Sequence, residues 1–417
     1  MCTRVRIAFI TVLVASVLVG CGPLARPTPT PEPVQISFVY SSEVMTPHYE
    51  RLESDFESEN PHIDVVLHVG NPYNALGATS QRADVAEIDQ LGLAILAESG
   101  MIRSIEPLLA SSPQLDLDDF YEGTFDSMRW HGELWGLPTD VDPWVFYFNK
   151  DLFDRAGVPY PTAQWTWDDM LNAAQRIADP TLDPPIYGII TDMNRADFLP
   201  LIYQNGGSVV DSLLEPKKFT FTDPATIEAV EWYVSLSLSY GVAPTPRELA
   251  RIGGFNRAIL DQRGAMWYGS MSENGNTWGV EWPFEWGVVP PPRNKQRMAL
   301  LTLHACVLSS ASQHPKLAWE WMTFVTMHPA TSRGVPPLKT VAQSDAFRAS
   351  HRPDVAQAAL ETMAIGRTIP ATTWIDDVGN WLMQALTSVY EEQASVADAL
   401  ELVQGDAERL LDGQGSQ

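Results

Sequence analysis

The first eighty residues hold the stretch that most limits which folds are open to this chain. Val34 to Tyr40 reads as a buried strand. Thr46-Pro47 then offers an N-cap and a proline at the first helical position. Tyr49, Leu52 and Phe56 follow at helical spacing, and Asn60-Pro61 stops the helix. Ile63, Val65, Leu67 and Val69 next alternate with His62, Asp64 and His68, a period of two that marks a strand. Strand, helix and strand in about 35 residues form a βαβ unit, whose strands run parallel with a right-handed crossover. An α/β fold with mostly parallel sheets flanked by helices is expected.

The same grammar recurs. In "TWDDMLNAAQRI" Thr166 is a cap, and Asp168 and Asp169 favour the positive end of the helix dipole. Trp167, Met170, Leu171, Ala174 and Ile177 form its apolar face. "YGII" at 187–190 reads as a short buried strand, and 224–239 and 315–327 as further helices. No internal repeat is evident.

Ahead of the first strand the chain changes character. Arg4 and Arg6 precede an apolar run over 7–20, interrupted only by Thr11 and Ser16. Fourteen residues are too few to span a bilayer, which takes about twenty, but they suit a secretory signal. Leu18-Val19-Gly20-Cys21 resembles a bacterial lipobox, in which residues 1–20 are removed and the Cys21 thiol is lipidated; a plain signal with a nearby cysteine is the alternative. Residues 22–34 carry Pro23, Pro27, Pro29, Pro31 and Pro33. Proline at this density favours an extended tether, up to roughly 40 Å long at about 3.1 Å per residue. An extracytoplasmic protein is expected, held to the membrane only by a lipid anchor and its tether at 21–34.

About 380 residues remain beyond the tether, enough for two domains. The net charge of -25, or -27 without the two leader arginines, repels phosphate backbones and argues against nucleic-acid binding. Of three cysteines, Cys2 leaves with the signal and Cys21 is the lipidation candidate, so Cys306 has no intramolecular partner. Its apolar, β-prone neighbours suit a buried structural thiol. The 14 Trp and 12 Tyr mostly fill cores, yet surplus Trp in an exported acidic protein also suits stacking on sugar rings.

No transferable catalytic motif, cofactor loop or metal spacing occurs. His62 and His68 could share a strand face, but no further metal ligands accompany them.

Between residues 131 and 177 a pattern becomes familiar. His131-Gly132 to Leu137-Pro138, then Phe148-Asn149-Lys150-Asp151-Leu152-Phe153 with Ala156-Gly157, then Thr166-Trp167-Asp168-Asp169 resemble the extracellular solute-binding proteins of ABC importers. The likeness is to the sugar-binding family that includes maltose-binding protein. "FNRAILDQRGAMWYGS", "FEWGVVPPP", "HPKLAWEWMTFV" and "SVADAL" follow in the family's order, so the resemblance covers about residues 34 to 410. Two departures stand out. Arg82-Ala83-Asp84-Val85 lacks the family's proline, and Met271 stands where the family commonly has a sugar-stacking Trp, for which Trp267 or Trp278 could substitute.

The resemblance implies two lobes, 35–141 with 288–329 and 142–287 with 330–417, joined by hinge strands and closing on a ligand. It implies a monomer that delivers a sugar, expected to be an oligosaccharide, to the transmembrane subunits of an ABC permease without chemistry. It also points to Asp142 as a carboxylate for sugar hydroxyls, although Asp142-Pro143 would make a turn in any case. Asp140 and Trp144 share that segment. Asp89, after the third strand, is a hydroxyl ligand or a cap. Tyr40, Ser41 and Glu43 end the first strand, where open α/β sheets place ligands. In "YGSMSENGNTWG", Gly269 and Ser270 allow close backbone approach, while one of Trp267 and Tyr268 is expected to face the core. Trp374 is a candidate for closing the cleft. Two other classes stay open: a surface-anchored glycoside hydrolase or lyase, and the same cleft serving a non-sugar solute, an adhesin or a sensor.

Overall fold

The computed structural model describes residues 32–78, 82–112, 115–195, 197–212, 217–277, 279–331, 333–369 and 371–414. Cys21, its tether up to residue 31, and Trp278 therefore lie outside the described residues.

The βαβ unit forms as the alternation requires. Strand β1 (Val34–Tyr40) pairs in parallel with β2 (Ile63–Val69), and helix α1 (Thr46–Glu59) connects them. Tyr49, Leu52 and Phe56 are its buried face. The start differs by one residue: Met45 is the cap position and Thr46 lies inside the helix, where its hydroxyl accepts from Tyr40 Oη at 3.1 Å. A third strand, β3 (Val85–Asp89), pairs in parallel on the other side of β1.

Strand β4 (Gly136–Asn149) organises the rest. Its first half, Gly136 to Pro143, runs antiparallel to β7 (Ala299–Leu308), which in turn pairs with β3. From Trp144 onward β4 changes partners, to β5 (Met266–Ser270) and β6 (Trp286–Val289). A short β8 (Gly366–Thr368) pairs with the first residues of β7. The sheet order is β6-β4-β7-β3-β1-β2, so one continuous ladder passes through both halves of a two-lobed α/β protein.

Two buried apolar clusters flank this ladder. Successive strand residues point to opposite faces. Tyr147, Trp267, Trp286 and Val288 therefore join one cluster, while Phe146, Phe148, Met266 and Tyr268 join the other. Helix α2 (Trp167–Ile177) begins at the Thr166 cap expected from its sequence, and Asp169 completes a capping box, each residue capping the other's backbone N–H. Helices α3 (Pro224–Leu238), α6 (Ile375–Tyr390) and α7 (Val396–Gln414) pack together in the second lobe, whereas α4 (Pro315–Met327) packs on α1 and β7. Helix α5 (Pro353–Met363) lies against β4 and β6.

Residues 187–190 are not a strand of the sheet. Tyr187 and Ile190 make only isolated bridges to Gly264 and Trp267. Gly188 lies so close to α2 that an added Cβ would stand 2.4 Å from Ala174 Cα, and this packing takes the place of a ladder partner. Part of the stretch after 330, allotted to the second lobe by the family pattern, holds to the first. Val335 bridges Val141, Leu338 bridges Phe120, and the Thr340 amide donates to Asp119. Cys306 is fully buried in β7, and burial pushes its thiol well above its ordinary range.

Candidate solute-binding cleft

The changeover in β4 fixes where a ligand can sit. Around Trp144 opens a cavity of about 540 Å³, within the range of roughly 300–1,000 Å³ common to small-molecule sites. Its walls come from both halves of the chain. Gln90 and Leu91 follow β3, Leu301 and Thr302 belong to β7, and Met193 to Arg195 form a 3-10 turn in the second lobe. Ile369, beyond β8, and one face of α6 complete it.

Trp144 is half-buried on the wall, with the Arg195 guanidinium 5.7 Å from its ring centre and 4.1 Å from that of Phe255. Arg195 Nη2 also holds Glu273 Oε1 at 2.9 Å. Burial raises the Glu273 carboxyl, while Arg195 pulls it down. Gly269 makes room for this pair, because an added Cβ would lie 2.8 Å from Glu273 Oε2.

Asp142 is buried and already engaged. It accepts from the Ser270 hydroxyl and from the Ser272 amide at 3.2 Å. Burial raises its carboxyl, against the lowering effect of those two serines. Ser270 in turn caps the 3-10 turn Met271–Glu273, which fixes the corner below Trp144. Met271, standing where a stacking Trp was anticipated, is buried.

Asp140 belongs to a different assembly. Arg333 reaches it from the segment after α4, and His304 Nδ1 lies 3.0 Å away. The same guanidinium grips Glu87 with two bonds, of 3.0 and 2.7 Å, and Tyr49 Oη donates to Glu87 at 2.5 Å. Burial alone would raise Glu87; the Arg333 charge and hydrogen bonds win and hold it at about 2. Asp140 is thus a partner of Arg333 rather than a free hydroxyl acceptor.

Other expected residues are spoken for, or stand apart from the cavity. Asp89 caps the turn Gln90–Gly92 and accepts from Tyr73 Oη at 2.9 Å; its neighbour Gln90 reaches the cavity instead. Tyr40 is a core residue, its ring 4.6 Å from that of Tyr49. Ser41 and Glu43 are exposed and do not line the cavity. Trp267 is fully buried between Tyr147 and Trp282, so its faces are not open to a sugar. Tyr268 packs edge-on against Phe146, and Trp374 against Phe219.

Several lining residues escaped the sequence reading: Gln90, Asn194, Arg195, Thr302 and Asn380. Gln90 alone left a trace, as the neighbour of Asp89. Beneath the turn, Asp197 is buried and accepts from Tyr233 Oη at 3.0 Å and the Asp192 amide at 2.8 Å. Burial raises its carboxyl to about 7 despite those bonds. Among the described residues no group of three or more His, Cys, Asp or Glu could hold a metal ion.

Two lobes threaded by one strand, with a cavity at the crossing, define a solute-binding protein of the two-lobed α/β kind. The chain belongs to the bacterial extracellular solute-binding protein family, whose model matches residues 43–331. Among curated relatives, an arabinooligosaccharide-binding protein of Halalkalibacterium halodurans is 26% identical over 174 residues, 40% of this chain and 36% of that one. A mannitol-binding protein of Pseudomonas aeruginosa is 29% identical over 143 residues, 33% of this chain and 31% of that one. The match thus spans only about a third of each relative's length. In fold, the chain resembles an ABC substrate-binding protein of Listeria monocytogenes in complex with cycloalternan, with a TM-score of 0.78 at 21% identity, over 91% of this chain and 100% of that one. Among the described residues no helix is long and apolar enough to cross a membrane.

Proposed function

We propose that this protein is the extracytoplasmic capture component of an ABC importer. It takes a neutral sugar or polyol in the cleft, closes its lobes over it, and presents the loaded form to the transmembrane subunits of a permease. The observation that carries this reading is the changeover in β4. Trp144, the first residue paired in the second lobe, is also a wall of the cavity, so a ligand pressing there acts on the hinge itself. Solute touching both walls then favours the closed form by its differential affinity. The arabinooligosaccharide, mannitol and cycloalternan named for the similar proteins support an uncharged, hydroxyl-rich cargo. Charge agrees: Glu273 already answers Arg195, and buried Asp142 lies nearby, which disfavours an anion.

Hydrolysis would need two available carboxylates flanking a bond, about 5–9 Å apart. Asp140 is tied to Arg333, and Asp142 to Ser270 and Ser272, so neither is free for acid–base work. Cys21 is assigned as the lipid anchor, with residues 22–34 as tether. The lobe divisions expected at 141/142 and 287/288 are moved to the change of partners between Pro143 and Trp144 and to the end of β6 after Val289, with the final crossing beyond the Val335–Thr340 contacts. A thermal-shift screen of sugars and polyols tests the reading, since a ligand at one hundred times its dissociation constant stabilises by about 2.7 kcal/mol. Reducing ends released from polysaccharide, with no shift from any sugar or polyol, would overturn it.

A further inference from the structure

We propose that the cargo of this cleft is amphipathic: a sugar or polyol unit carrying an alkyl, acyl or aryl group, rather than a free oligosaccharide. This rests on the carbohydrate reading above and narrows it. The cavity walls divide by chemistry. One acceptor stands out on the polar side. Gln90 lines the cavity yet is buried: its Nε2 donates to the Ile369 carbonyl at 2.8 Å, and its Oε1 is closed to solvent and has no partner. A buried amide oxygen without a donor is costly. A ligand hydroxyl would satisfy it once the amide turns slightly toward the cavity, with Asn194, Thr302 and Asn380 on the wall for others.

Most of the remaining wall is hydrocarbon. Ile375 and Met383 on α6, with Ile369, bring partly exposed hydrocarbon to it, backed by Val378, Leu382 and Leu300, which are themselves buried in the core of the second lobe. A second or third sugar ring laid there would bury hydroxyls with nothing to receive them, which is unfavourable. Among the described residues, Trp144 is the one indole on the wall, a stacking platform for one ring, and Arg195 lies close to it. An apolar substituent suits the aliphatic part, where each buried methylene strengthens binding roughly fourfold.

Isothermal titration calorimetry of the intact protein tests this with matched methyl and hexyl glycosides of glucose, galactose, mannose, xylose and arabinose, held below micelle-forming concentrations. At least one hexyl glycoside is expected to bind at least tenfold tighter than its methyl partner, with a more negative heat-capacity change. Met383→Gln should cut that preference about fivefold, and Gln90→Leu should weaken both alike without changing it. Equal affinities, or methyl glycosides binding while hexyl chains are excluded, overturn the inference and leave carbohydrate capture standing. Silence from every pair overturns both.

Discussion

Replacing Arg333 with methionine removes the single cation between two buried carboxylates. Glu87 and Asp140 are 3% and 1% exposed, so the variant leaves both charges in a low-dielectric interior, with His304, His48, Tyr49 and Thr139 as the polar groups nearby. Breaking a buried pair in this way typically costs about 3–5 kcal/mol. An independent route gives a similar size. Arg333 holds Glu87 at about 2 against an ordinary 4.5, which corresponds to roughly 3 kcal/mol. The sign follows from the direction of that shift. In the wild type this stability is fully present above pH 4.5 and is lost as pH falls through about 2. In R333M, burial is the largest effect on Glu87; it is opposed by the smaller lowering effects of His304 and the Tyr49 hydrogen bond and raises the carboxyl, so acidification restores part of the loss. Urea unfolding at pH 7 should show the variant destabilised by about 3–5 kcal/mol, with the gap narrowing by pH 4. A variant within about 1 kcal/mol of wild type at pH 7, the worth of an exposed pair, or a gap that does not change with pH, would refute the reasoning.

Trp144→Ala should weaken capture of any sugar or polyol by about 2 kcal/mol, some thirtyfold, in calorimetry; unchanged affinity would remove Trp144 from the site. Asp197 pulls the pH profile the other way from Glu87. Its carboxyl is raised from 3.8 to about 7, so its proton is held more tightly in the folded state, and stability falls by roughly 4 kcal/mol as pH rises through that window. The two groups together place the maximum urea midpoint near pH 4–5, and Asp197→Asn should flatten the decline above it; midpoints that climb from pH 5 to 7 would contradict this. Cys21→Ser should move the protein from the detergent phase to the aqueous phase after Triton X-114 partitioning, and a variant still in the detergent phase would exclude Cys21 as the anchor.

Local rules made the scaffold legible. Alternation at Ile63, Val65 and Leu67, the apolar spacing of Tyr49, Leu52 and Phe56, and the Thr166 cap each depend on neighbours within four residues, and each is found as read. The site was harder, for two physical reasons. Asp140 and Asp142 were picked because carboxylates bind hydroxyls, but their partners Arg333 and Ser270 lie 193 and 128 residues away, a distance no spacing reveals. The aliphatic face of α6 has the same periodicity whether it meets a core or a cavity. Trp267 and Trp374 show the converse, since large rings are selected by packing more often than by ligands. Trp144, which lines the cavity, is a candidate because it shares the segment that the family resemblance makes a crossing between lobes.

Small-angle X-ray scattering of the intact protein, alone and saturated with the tightest-binding glycoside found by calorimetry, tests the central claim most directly. The account predicts a smaller radius of gyration on saturation, as the two halves joined at Trp144 draw together around the solute. An unchanged scattering curve at full saturation would contradict it.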